Sequence, residues 1–338
     1  MNYVGIDHHR QYSHMTMMDE RGNIVRSRKV SNLRSEVKEF LEGVKDCCAV
    51  IEAGRSSYTL VELLDELGVK VTMAHPKEVK SIAKAKVKTD KRDSQMLAHL
   101  LRTDLVPGVY QRSKENRGVQ KILRQRVFYV EAMTRVKNRI HALIAQQREE
   151  VRQEAAREKN LFSERGQKVM LGLSLAVAEK QMLASLVRTL RHLRDRLRET
   201  MALVEEVYQR NREAQLLRTI PGYGTFLSVL AATEIADIAR FDDAAHLHAY
   251  AGVIPSTHSS GERSYHGKIT KEGNRWLRWA AVEAVWPGIR ADFDLRLFYE
   301  RLKKRKGANS AKVATARRLL TIIYRMLKEN RPYIPYKR

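Results

Sequence analysis

The first 110 residues carry strand-like and helix-like segments in an order that few folds accommodate. Three strand-like segments come first, and the remaining segments then alternate as helix, strand, helix, strand, helix. Strands are predicted at 3–7, 14–18, 24–30, 47–52 and 69–73, and helices around Val37, around Leu60 and from near Thr89 onward. The run at 47–52 is apolar up to Ile51 and ends in Glu52, which is typical of a central strand buried on both faces. The chain therefore begins with a meander that parallel strands extend into a mixed sheet.

This order of elements predicts a ribonuclease-H-like α/β fold. Right-handed crossovers place the first strand beside the strand at 47–52. Asp7 and Glu52 end these two strands, so both carboxylates are expected at one sheet edge, facing the helix that begins near Asp90. Asp93 follows Asp90 by three residues and shares its face of that helix. The sequence thus predicts that four distant carboxylates converge.

Four converging carboxylates repel one another unless a cation compensates their charge. Oxygen ligands favour hard divalent cations, and Mg²⁺ (or Mn²⁺) also bridges carboxylates and phosphate oxygens. Two simpler interpretations remain open. Asp90 and Asp93 can serve only to favour the positive end of the helix dipole, and Asp7 and Glu52 can be ordinary acids at the ends of strands.

The charge of the chain indicates a polyanionic partner. Lys and Arg number 63 against 39 Asp and Glu, which gives a net charge of +24. Residues 1–110 hold 18 basic and 15 acidic side chains, 111–215 hold 23 and 13, and 216–338 hold 22 and 11. The last two parts are therefore suited to neutralising nucleic-acid phosphates. Charge alone also fits a ribosomal or a membrane-surface protein.

Several features favour a cytoplasmic protein without a membrane anchor. The sequence has no apolar run approaching the roughly 18 residues that a membrane span requires. The first residues lack the basic and apolar regions of a secretory signal. The two cysteines, Cys47 and Cys48, are adjacent in a predicted strand, which argues against a disulfide framework and fits a reducing compartment.

Residues 111–215 predict long amphipathic helices. Apolar side chains keep a three-and-four spacing over 116–159 and again over 171–207, with a hairpin predicted around Gly166. Helices of this length favour an antiparallel coiled coil that serves dimerisation. The second helix carries Arg188, Arg191, Arg194, Arg196 and Arg198, which fit either phosphate contacts or a solvated charged face.

Residues 216–338 predict a mostly helical domain that begins with a helix-hairpin-helix. The segment 216–225 joins two apolar helices through a turn containing Pro221, Gly222 and Gly224. In such a motif the backbone N–H groups at the start of the second helix bind a DNA phosphate without reading bases. Gly222 and Gly224 are therefore candidate nucleic-acid-binding residues, and a plain helical turn is the alternative.

A polar loop over 256–267 follows, flanked by the candidate phosphate-binding cations Arg263, Lys268, Lys271 and Arg275. A serine hydroxyl beside clustered cations suits covalent phosphoryl transfer, because the cations stabilise negative charge that builds on phosphorus. By chemistry alone, an ordinary Ser-Gly turn is the far commoner interpretation of such a segment.

Several motifs together resemble one family. The segments 5–7, 51–54 and 88–93 are similar to the Asp-Glu-Asp-Asp motifs of bacterial insertion-sequence transposases with a RuvC-like, Holliday-resolvase-like N-terminal domain. The segments 252–255, 259–261 and 267–274 are similar to the C-terminal motif of the same family. A threonine that relatives often carry shortly after the glutamate is closed up here, which affects only the local turn after Glu52.

The resemblance implies a catalytic tetrad of Asp7, Glu52, Asp90 and Asp93 that binds Mg²⁺. It also implies that Ser260 is the nucleophile and forms a transient 5′-phosphoserine, with Ser259 as the neighbouring alternative. Members of one such group are RNA-guided, so the implied partners are donor and target DNA, a guide RNA and further copies of the chain, as a dimer or as a tetramer on DNA. The coiled coil would then serve oligomerisation and guide-RNA contacts, and active sites would assemble between protomers.

The predicted organisation is a RuvC-like catalytic domain over 1–110, a coiled-coil and nucleic-acid-binding region over 111–215, and a transposase domain over 216–338. The predicted function is that of an insertion-sequence transposase or recombinase. Three alternatives remain: a metal-dependent junction endonuclease without a covalent intermediate, an actin-like sugar kinase, and a non-catalytic RNA- or DNA-binding protein. The kinase is disfavoured by the basic charge after residue 110 and by the lack of a second glycine-rich phosphate loop.

Overall fold

A computed structural model describes residues 1–44, 46–82, 89–260 and 263–335, with the side chains at 257–260, 263–266 and 268 outside the description. The chain divides into two compact units, Met1–Arg112 and Ser113–Arg338. The predicted division into three domains remains a prediction. Across the described residues, no helix combines the length and the apolar character needed to cross a bilayer.

The first unit is built on a five-stranded mixed sheet with the order β3-β2-β1-β4-β5. β1 pairs antiparallel with β2 and parallel with β4, while β2–β3 is antiparallel and β4–β5 is parallel. The strands are β1 (Asn2–His8), β2 (Tyr12–Met18), β3 (Ile24–Ser31), β4 (Cys47–Glu52) and β5 (Lys70–Ala74). The helices are α1 (Arg34–Leu41), α2 (Ser57–Glu66), α3 (Pro76–Ile82) and α4 (Asp90–Arg102). This arrangement is consistent with the predicted ribonuclease-H-like fold.

Helix α4 packs directly on β1, and Gly5 makes this close approach possible. A Cβ atom at Gly5 would lie 2.0 Å from the backbone oxygen of Ser94 and 2.3 Å from the backbone nitrogen of Ala98. Leu97 and Leu100 of α4 join a buried cluster with Val50 of β4. The start of α4 is therefore held at a fixed distance from the ends of the central strands.

The second unit begins with helices that pack lengthwise. They are α5 (Lys114–Ala145), α6 (Glu149–Ala156), α7 (Glu164–Gly172) and α8 (Val177–Arg210). Leu123 near the start of α5 shares a core with Val204 near the end of α8. Ile140 near the end of α5 shares another with Leu183 near the start of α8. This order of contacts is the one that an antiparallel pair gives, while the coiled-coil assignment and its role in dimerisation remain predictions.

The helix predicted over 116–159 is wrong in its extent, because α5 ends at Ala145 and α6 is a separate helix. The apolar spacing stops at Ile144, and the polar residues that follow provide no buried face to continue it. Gly166, predicted to mark a hairpin, lies inside α7 and is buried. The connection between the long helices therefore contains two short helices of its own.

Where the structure describes it, the rest of the second unit is helical apart from one two-stranded sheet. The helices are α9 (Arg212–Leu217), α10 (Thr225–Ile235), α11 (Ala244–Ala251), α12 (Arg275–Glu283), α13 (Val285–Ala291), α14 (Phe293–Lys306) and α15 (Ala308–Lys328). The two strands, β6 (Pro255–Ser260) and β7 (Arg263–Ile269), pair antiparallel between α11 and α12. The loop predicted over 256–267 is therefore a β-hairpin, and the chain as a whole has the predicted α/β-plus-α class.

Candidate active site

The carboxyl ends of β1 and β4 place Asp7 and Glu52 at neighbouring positions of the sheet. Ile6 pairs with Ile51 in the parallel register, and Asp7 and Glu52 are the next residues of their strands. Neighbouring strands lie about 4.8 Å apart, and residues at equal positions of parallel strands point to the same face. The sheet therefore brings these two carboxylates to one edge, as the strand order predicts.

Asp90 and Asp93 lie in the first turn of α4. The side chain of Thr89 caps this helix by accepting a hydrogen bond from the backbone N–H of Arg92 at 3.3 Å. The cap fixes where the helix begins, and the prediction of a start near Thr89 is confirmed. Lys88, which belongs to the same motif, lies outside the described residues. The positive end of the helix dipole favours both carboxylates at this position.

Three side chains from β1, the turn after it and α4 form a compact group of potential metal ligands. One ligand atom each from Asp7, His9 and Asp90 lies within 4.8 Å of the other two. The Nε2 atom of His9 is 3.5 Å from Oδ2 of Asp7 and 3.2 Å from Oδ2 of Asp90. That nitrogen is shielded from solvent, and neither approach has hydrogen-bond geometry. Two acceptor oxygens are thus gathered around one imidazole nitrogen.

The donor atoms of this group suit a divalent cation. Carboxylate oxygens are preferred by Mg²⁺ and Mn²⁺, whereas an imidazole nitrogen suits transition metals better than Mg²⁺. The side chains of Asp7, His9 and Asp90 are 24%, 42% and 44% exposed, so the group is open to a ligand from solvent. Glu52 lies at the same sheet edge and Asp93 in the same helical turn, but the group of ligand atoms within 4.8 Å includes neither of them.

Tyr12 of β2 closes one side of the group. Its hydroxyl donates a hydrogen bond to Oδ2 of Asp90 at 3.2 Å, and its ring lies 4.8 Å from the ring of His9. The ammonium group of Lys29, a residue of β3, lies 3.5 Å from the centre of the Tyr12 ring. Burial, with the negative charges of Asp90 and Asp7, raises the pKa of Tyr12. The phenol therefore remains a hydrogen-bond donor to the carboxylate at neutral pH.

A buried chain of hydroxyl groups fixes α4 against β2 behind the group. Ser94 of α4 contacts Nδ1 of His14 at 2.9 Å and the hydroxyl of Thr16 at 2.8 Å. Burial lowers the pKa of His14, although the carboxylates of Asp90 and Asp7 act in the opposite direction. These hydrogen bonds join the helix that carries Asp90 to the sheet that carries Asp7. They fix the position of the Asp90 carboxylate relative to that of Asp7.

The predicted nucleophile Ser260 is the last residue of β6 and pairs with Arg263, the first residue of β7. The pairing places both residues at the tip of the hairpin, with Ser259 one step nearer its base. The side chains of Ser259, Ser260, Arg263 and Lys268 lie outside the described residues. The backbone alone therefore indicates that the serine is carried at the end of a projecting element.

The remaining candidate phosphate-binding residues lie on either side of this hairpin in the chain. Lys271 is exposed in the turn after β7, and Arg275 is the first residue of α12, with its guanidinium 4.7 Å from the ring centre of Trp276. Gly222 has a φ of +95° in the turn between α9 and α10, and Gly224 precedes the first residue of α10. No side chain caps α10 in the described structure, so its first N–H groups are available to an anion.

His9 and Tyr12 were not singled out in the sequence, although a signal for His9 exists. His9 follows Asp7 by two residues, and residues so spaced along an extended chain share a face. An imidazole placed two residues after a strand-end carboxylate is thus a candidate partner in any ligand set. Tyr12 lies in the next strand, and only the antiparallel pairing of β1 with β2 brings it beside Asp90.

Two family models match the chain, and together they include both candidate sites. The DEDD model of IS110 elements, described as "Transposase", matches residues 4–148. A second model, described as "Transposase IS116/IS110/IS902 family", matches residues 214–300. The first match contains Asp7, Glu52, Asp90 and Asp93, and the second contains the β6–β7 hairpin with Ser260.

Some individual proteins are similar over almost the whole chain and others over part of it. The transposase for insertion sequence element IS1111A of Coxiella burnetii is 25% identical over 336 residues, covering 98% of this chain and 90% of its own length. A probable family 20 transposase of Pseudomonas aeruginosa is 24% identical over 350 residues, covering 99% of each chain. A pilin gene-inverting protein of Moraxella bovis is 33% identical over 129 residues, covering 36% of this chain and 39% of its own length.

Proposed function

Because the chain belongs to the IS116/IS110/IS902 family of insertion-sequence transposases, we propose that it cuts and rejoins DNA strands with an acidic metal site and a serine nucleophile. The observation that carries the proposal is the convergence of Asp7, His9 and Asp90 at the edge of the sheet where Glu52 also lies. Residues from two distant stretches of sequence, 7–9 and the start of α4, meet there with donor atoms that suit a divalent cation.

In this proposal the carboxylates of Asp7, Glu52, Asp90 and Asp93 hold Mg²⁺ or Mn²⁺ close to the scissile phosphate. A bound divalent cation neutralises phosphate charge and so stabilises the charge that develops during phosphoryl transfer. The hydrogen bond from Tyr12 orients the carboxylate of Asp90 toward the site. The buried contacts of Ser94 keep α4 in place while DNA binds.

The serine step conserves the energy of the phosphodiester bond. The Oγ atom of Ser260 attacks phosphorus, an Oγ–P bond forms and the P–O3′ bond breaks. The proton leaves the serine hydroxyl and the departing 3′ oxygen gains one, which frees a 3′-hydroxyl and leaves a 5′-phosphoserine. Attack by the 3′-hydroxyl of another strand reverses these steps and joins a new pair of ends. Arg263, Lys268, Lys271 and Arg275 would stabilise the charge on the phosphate.

A metal-dependent junction endonuclease, which hydrolyses DNA with water, is the competing function. The similarity to a protein named for gene inversion favours strand exchange, because inverting a segment requires the cut ends to be rejoined. The acidic group at the sheet edge is equally compatible with both reactions. A covalent intermediate therefore separates them.

The discriminating experiment looks for a protein–DNA adduct that survives denaturation after incubation with Mg²⁺ and cognate nucleic acid. We expect an adduct with the unmodified protein and with Ser259→Ala, and none with Ser260→Ala. An adduct that persists in Ser260→Ala but disappears in Ser259→Ala would move the nucleophile by one residue. Cleavage without an adduct in any protein would establish the endonuclease instead.

The metal site is tested by calorimetric titration of the protein with Mn²⁺ and Mg²⁺. Asp90→Asn removes a charged ligand but keeps the size of the side chain, so we expect a loss of metal affinity of at least about 10-fold. Asp104→Asn, at an exposed position after α4, is the matched control and should bind as tightly as the unmodified protein. Equal affinities in all three proteins would place the cation elsewhere.

The proposed partners are donor and target DNA, a guide RNA and further copies of the chain in the cytoplasm, as a dimer or as a tetramer on DNA. The basic second unit and the pair of long helices α5 and α8 support nucleic-acid binding and oligomerisation. Purification with and without ribonuclease, followed by light scattering and the cleavage assay, tests both. Full activity after complete removal of RNA would exclude a guide, and a monomer on DNA would exclude sites shared between protomers.

A further inference from the structure

Glu234 is a buried acid in the second unit that the proposed reaction does not use. It lies one residue before the end of α10 and is 1% exposed. Its Oε1 atom pairs with the guanidinium of Arg124 on α5. Its Oε2 atom accepts hydrogen bonds from the side-chain amides of Gln120 at 3.1 Å and Asn274 at 2.6 Å. A buried carboxylate is tolerated only when it is paired and hydrogen-bonded, and Glu234 is both.

Asn274 joins this carboxylate to two other elements. Its side-chain nitrogen also donates to the hydroxyl of Tyr250 on α11 at 3.1 Å, and its backbone N–H donates to the carbonyl of Tyr250 at 2.6 Å. Its Oδ1 atom caps α12 by accepting from the backbone N–H groups of Trp276 and Leu277, each at 3.0 Å. The hydroxyl of Tyr250 in turn donates to the backbone carbonyl of Glu234 at 3.2 Å. The ends of α10 and α11 and the start of α12 are thereby tied together.

This network closes the base of the hairpin that carries Ser260. Tyr250 precedes Pro255, the first residue of β6, by five residues, and Asn274 follows Ile269, the last residue of β7, by five. Between them, the N–H of Thr270 donates to the carbonyl of Ile254 at 2.9 Å. The chain segments that enter and leave the hairpin are thus both anchored on Glu234.

The turn after α11 has no room to change its path. Gly252 has a φ of +66°, and a Cβ atom there would lie 2.2 Å from the carbonyl oxygen of Glu272. The guanidinium of Arg278 donates to the carbonyl of Ala251 at 2.7 Å. These contacts fix the base of the hairpin, and the fixed base determines the direction in which the hairpin extends.

Because the hairpin is long, a small rotation at its base moves its tip by a larger distance. Five residue steps separate Pro255 from Ser260 in β6, which at about 3.3 Å per residue gives a reach of about 17 Å. A rotation of about 3° at the base therefore moves the tip by about 1 Å. Misplacing a reacting group by about 1 Å can slow a reaction by about 100-fold.

We propose that Glu234 is a positioning residue: through Asn274 and Tyr250 it sets the direction in which the β6–β7 hairpin presents its terminal serine. The proposal rests on the function proposed above for Ser260. It adds one requirement beyond the acidic site and the serine, namely that the hairpin is held in one direction. Glu234 acts through the hairpin and does not contact the reacting phosphate.

The test compares Glu234→Gln and Tyr250→Phe with Tyr333→Phe as the matched control. The control removes a hydrogen bond from a buried phenol to Asp292, in the same unit but on the C-terminal segment. For each protein we would measure backbone hydrogen exchange over 252–274 without DNA, the rate of covalent adduct formation at saturating DNA, and the dissociation constant for that DNA. Tyr250→Phe keeps the ring and its packing, and so remains informative where Glu234→Gln fails to fold.

We expect both network variants to exchange at least about 10-fold faster over 252–274 and to form adduct about 10-fold to 100-fold more slowly. The dissociation constant should change by less than about 3-fold, because the hairpin tip contributes to the reaction more than to affinity. Tyr333→Phe should leave the adduct rate and the dissociation constant unchanged, and it should raise exchange over 252–274 less than the network variants do, because the hydrogen bond that it removes lies away from the hairpin. An adduct rate that stays low when the DNA concentration is raised further indicates a misplaced serine rather than weaker DNA binding.

Three results would overturn the proposal: unchanged exchange in both network variants, an undiminished adduct rate despite faster exchange, or the same changes in Tyr333→Phe. Absence of adduct with the unmodified protein would instead overturn the proposed function. The exchange measurement would then still decide whether Glu234 holds the hairpin, since it requires no catalysis.

Discussion

Two buried tyrosines of the second unit differ in whether the phenol hydroxyl has a hydrogen-bond partner among the described residues. Tyr223 is 1% exposed, and its hydroxyl finds no hydrogen-bond partner among the described residues. Tyr333 is 8% exposed, and its hydroxyl donates to Oδ2 of Asp292 at 2.7 Å. Burial raises the pKa of both phenols, so both stay neutral in the folded protein. The two residues therefore separate the cost of burying a hydroxyl from the gain of pairing it.

We predict that Tyr223→Phe leaves the free energy of unfolding unchanged or raises it by up to about 1 kcal/mol. Removing an unpaired buried hydroxyl removes a desolvation cost without breaking a bond. Tyr333→Phe should lower the free energy of unfolding by about 1.5–3 kcal/mol, because it breaks a hydrogen bond to a carboxylate. Urea denaturation followed by circular dichroism measures both. Destabilisation of the same size in the two variants would contradict the assignment of Tyr223 as unpaired.

His248 on α11 provides a pH-dependent contribution to stability. Burial, assisted by the positive charge of Arg317, lowers the pKa of His248 to about 4, and its Nε2 atom lies 3.0 Å from the hydroxyl of Thr321. In the unfolded chain this imidazole has its ordinary pKa of 6.5, which is well above its pKa in the folded protein. As the pH falls, the unfolded state is therefore protonated first. The contribution of His248 is complete above pH 6.5 and is lost progressively toward pH 4.

We predict that the stability advantage of the unmodified protein over His248→Gln falls by about 1–2 kcal/mol between pH 7 and pH 4.5. The full shift would correspond to about 3 kcal/mol, and we reduce it because the imidazole is only half-buried and solvent screens its charge. Glutamine keeps a polar group near Thr321 but does not titrate. A difference between the two proteins that stays constant over this range would show that His248 titrates normally in the folded state.

At the scale of single elements, the contact between α4 and β1 determines the geometry of the acidic site. We predict that Gly5→Ala lowers the free energy of unfolding by about 3 kcal/mol and weakens Mn²⁺ binding, because the new methyl group pushes α4 and Asp90 away from Asp7. Gly118→Ala is the control: a Cβ atom there, within α5, meets no heavy atom within 4 Å.

The control should raise stability by about 0.5–1 kcal/mol through higher helix propensity, with no effect on metal affinity. Calorimetric unfolding and metal titration on the same samples measure both changes. Unaltered metal affinity in Gly5→Ala would mean that the site tolerates movement of α4.

The elements of the acidic site follow from local patterns, and this is why the sequence predicts them. Alternating strand residues, a capping threonine at Thr89 and the handedness of crossovers together place Asp7, Glu52 and Asp90 at one edge. His9 lies one residue beyond the end of β1, and its spacing of two from Asp7 is the signal by which the sequence could have identified it. Glu234 escapes prediction for a different reason, since an acid within the apolar run of α10 is explained only by its partners on α5 and α12.

Two misjudged elements show the limits of periodicity. The β6–β7 hairpin has few apolar residues, so its strands carry no alternating pattern and are held by pairing with each other. The extent of α5 depends on where its apolar face ends, and the absence of proline and the scarcity of glycine after Ala145 gave no sign of the break. Pattern alone therefore locates elements that bury a face and misses those that do not.

At the scale of the whole molecule, each of the two units has its own buried core. The clusters of the first unit involve residues of its sheet and helices, such as Ile6 and Phe40, and those of the second involve residues such as Leu217 and Leu320. A domain of about 110 residues buries enough surface to fold without assistance. The first unit should therefore fold and bind metal without the second.

We predict that a fragment of residues 1–112 unfolds cooperatively and binds Mn²⁺ as tightly as the full chain. A fragment of residues 1–89 lacks α4, which covers β1, and should remain largely unfolded. Thermal denaturation by circular dichroism and titration calorimetry test the two fragments together. An unfolded 1–112 fragment, or a folded 1–89 fragment, would contradict the independence of the first unit or the role of α4 within it.

The β6–β7 hairpin leaves and re-enters the second unit at one place, where Ile254 and Thr270 are hydrogen-bonded to each other. Its length is therefore an adjustable dimension of the protein. Deleting two residues from each strand would shorten its reach by about 7 Å and keep every remaining side chain on its original face, whereas deleting one from each would invert them all. Relatives that engage DNA of different geometry can thus differ at this element by paired deletions or insertions while the helices beneath it stay the same.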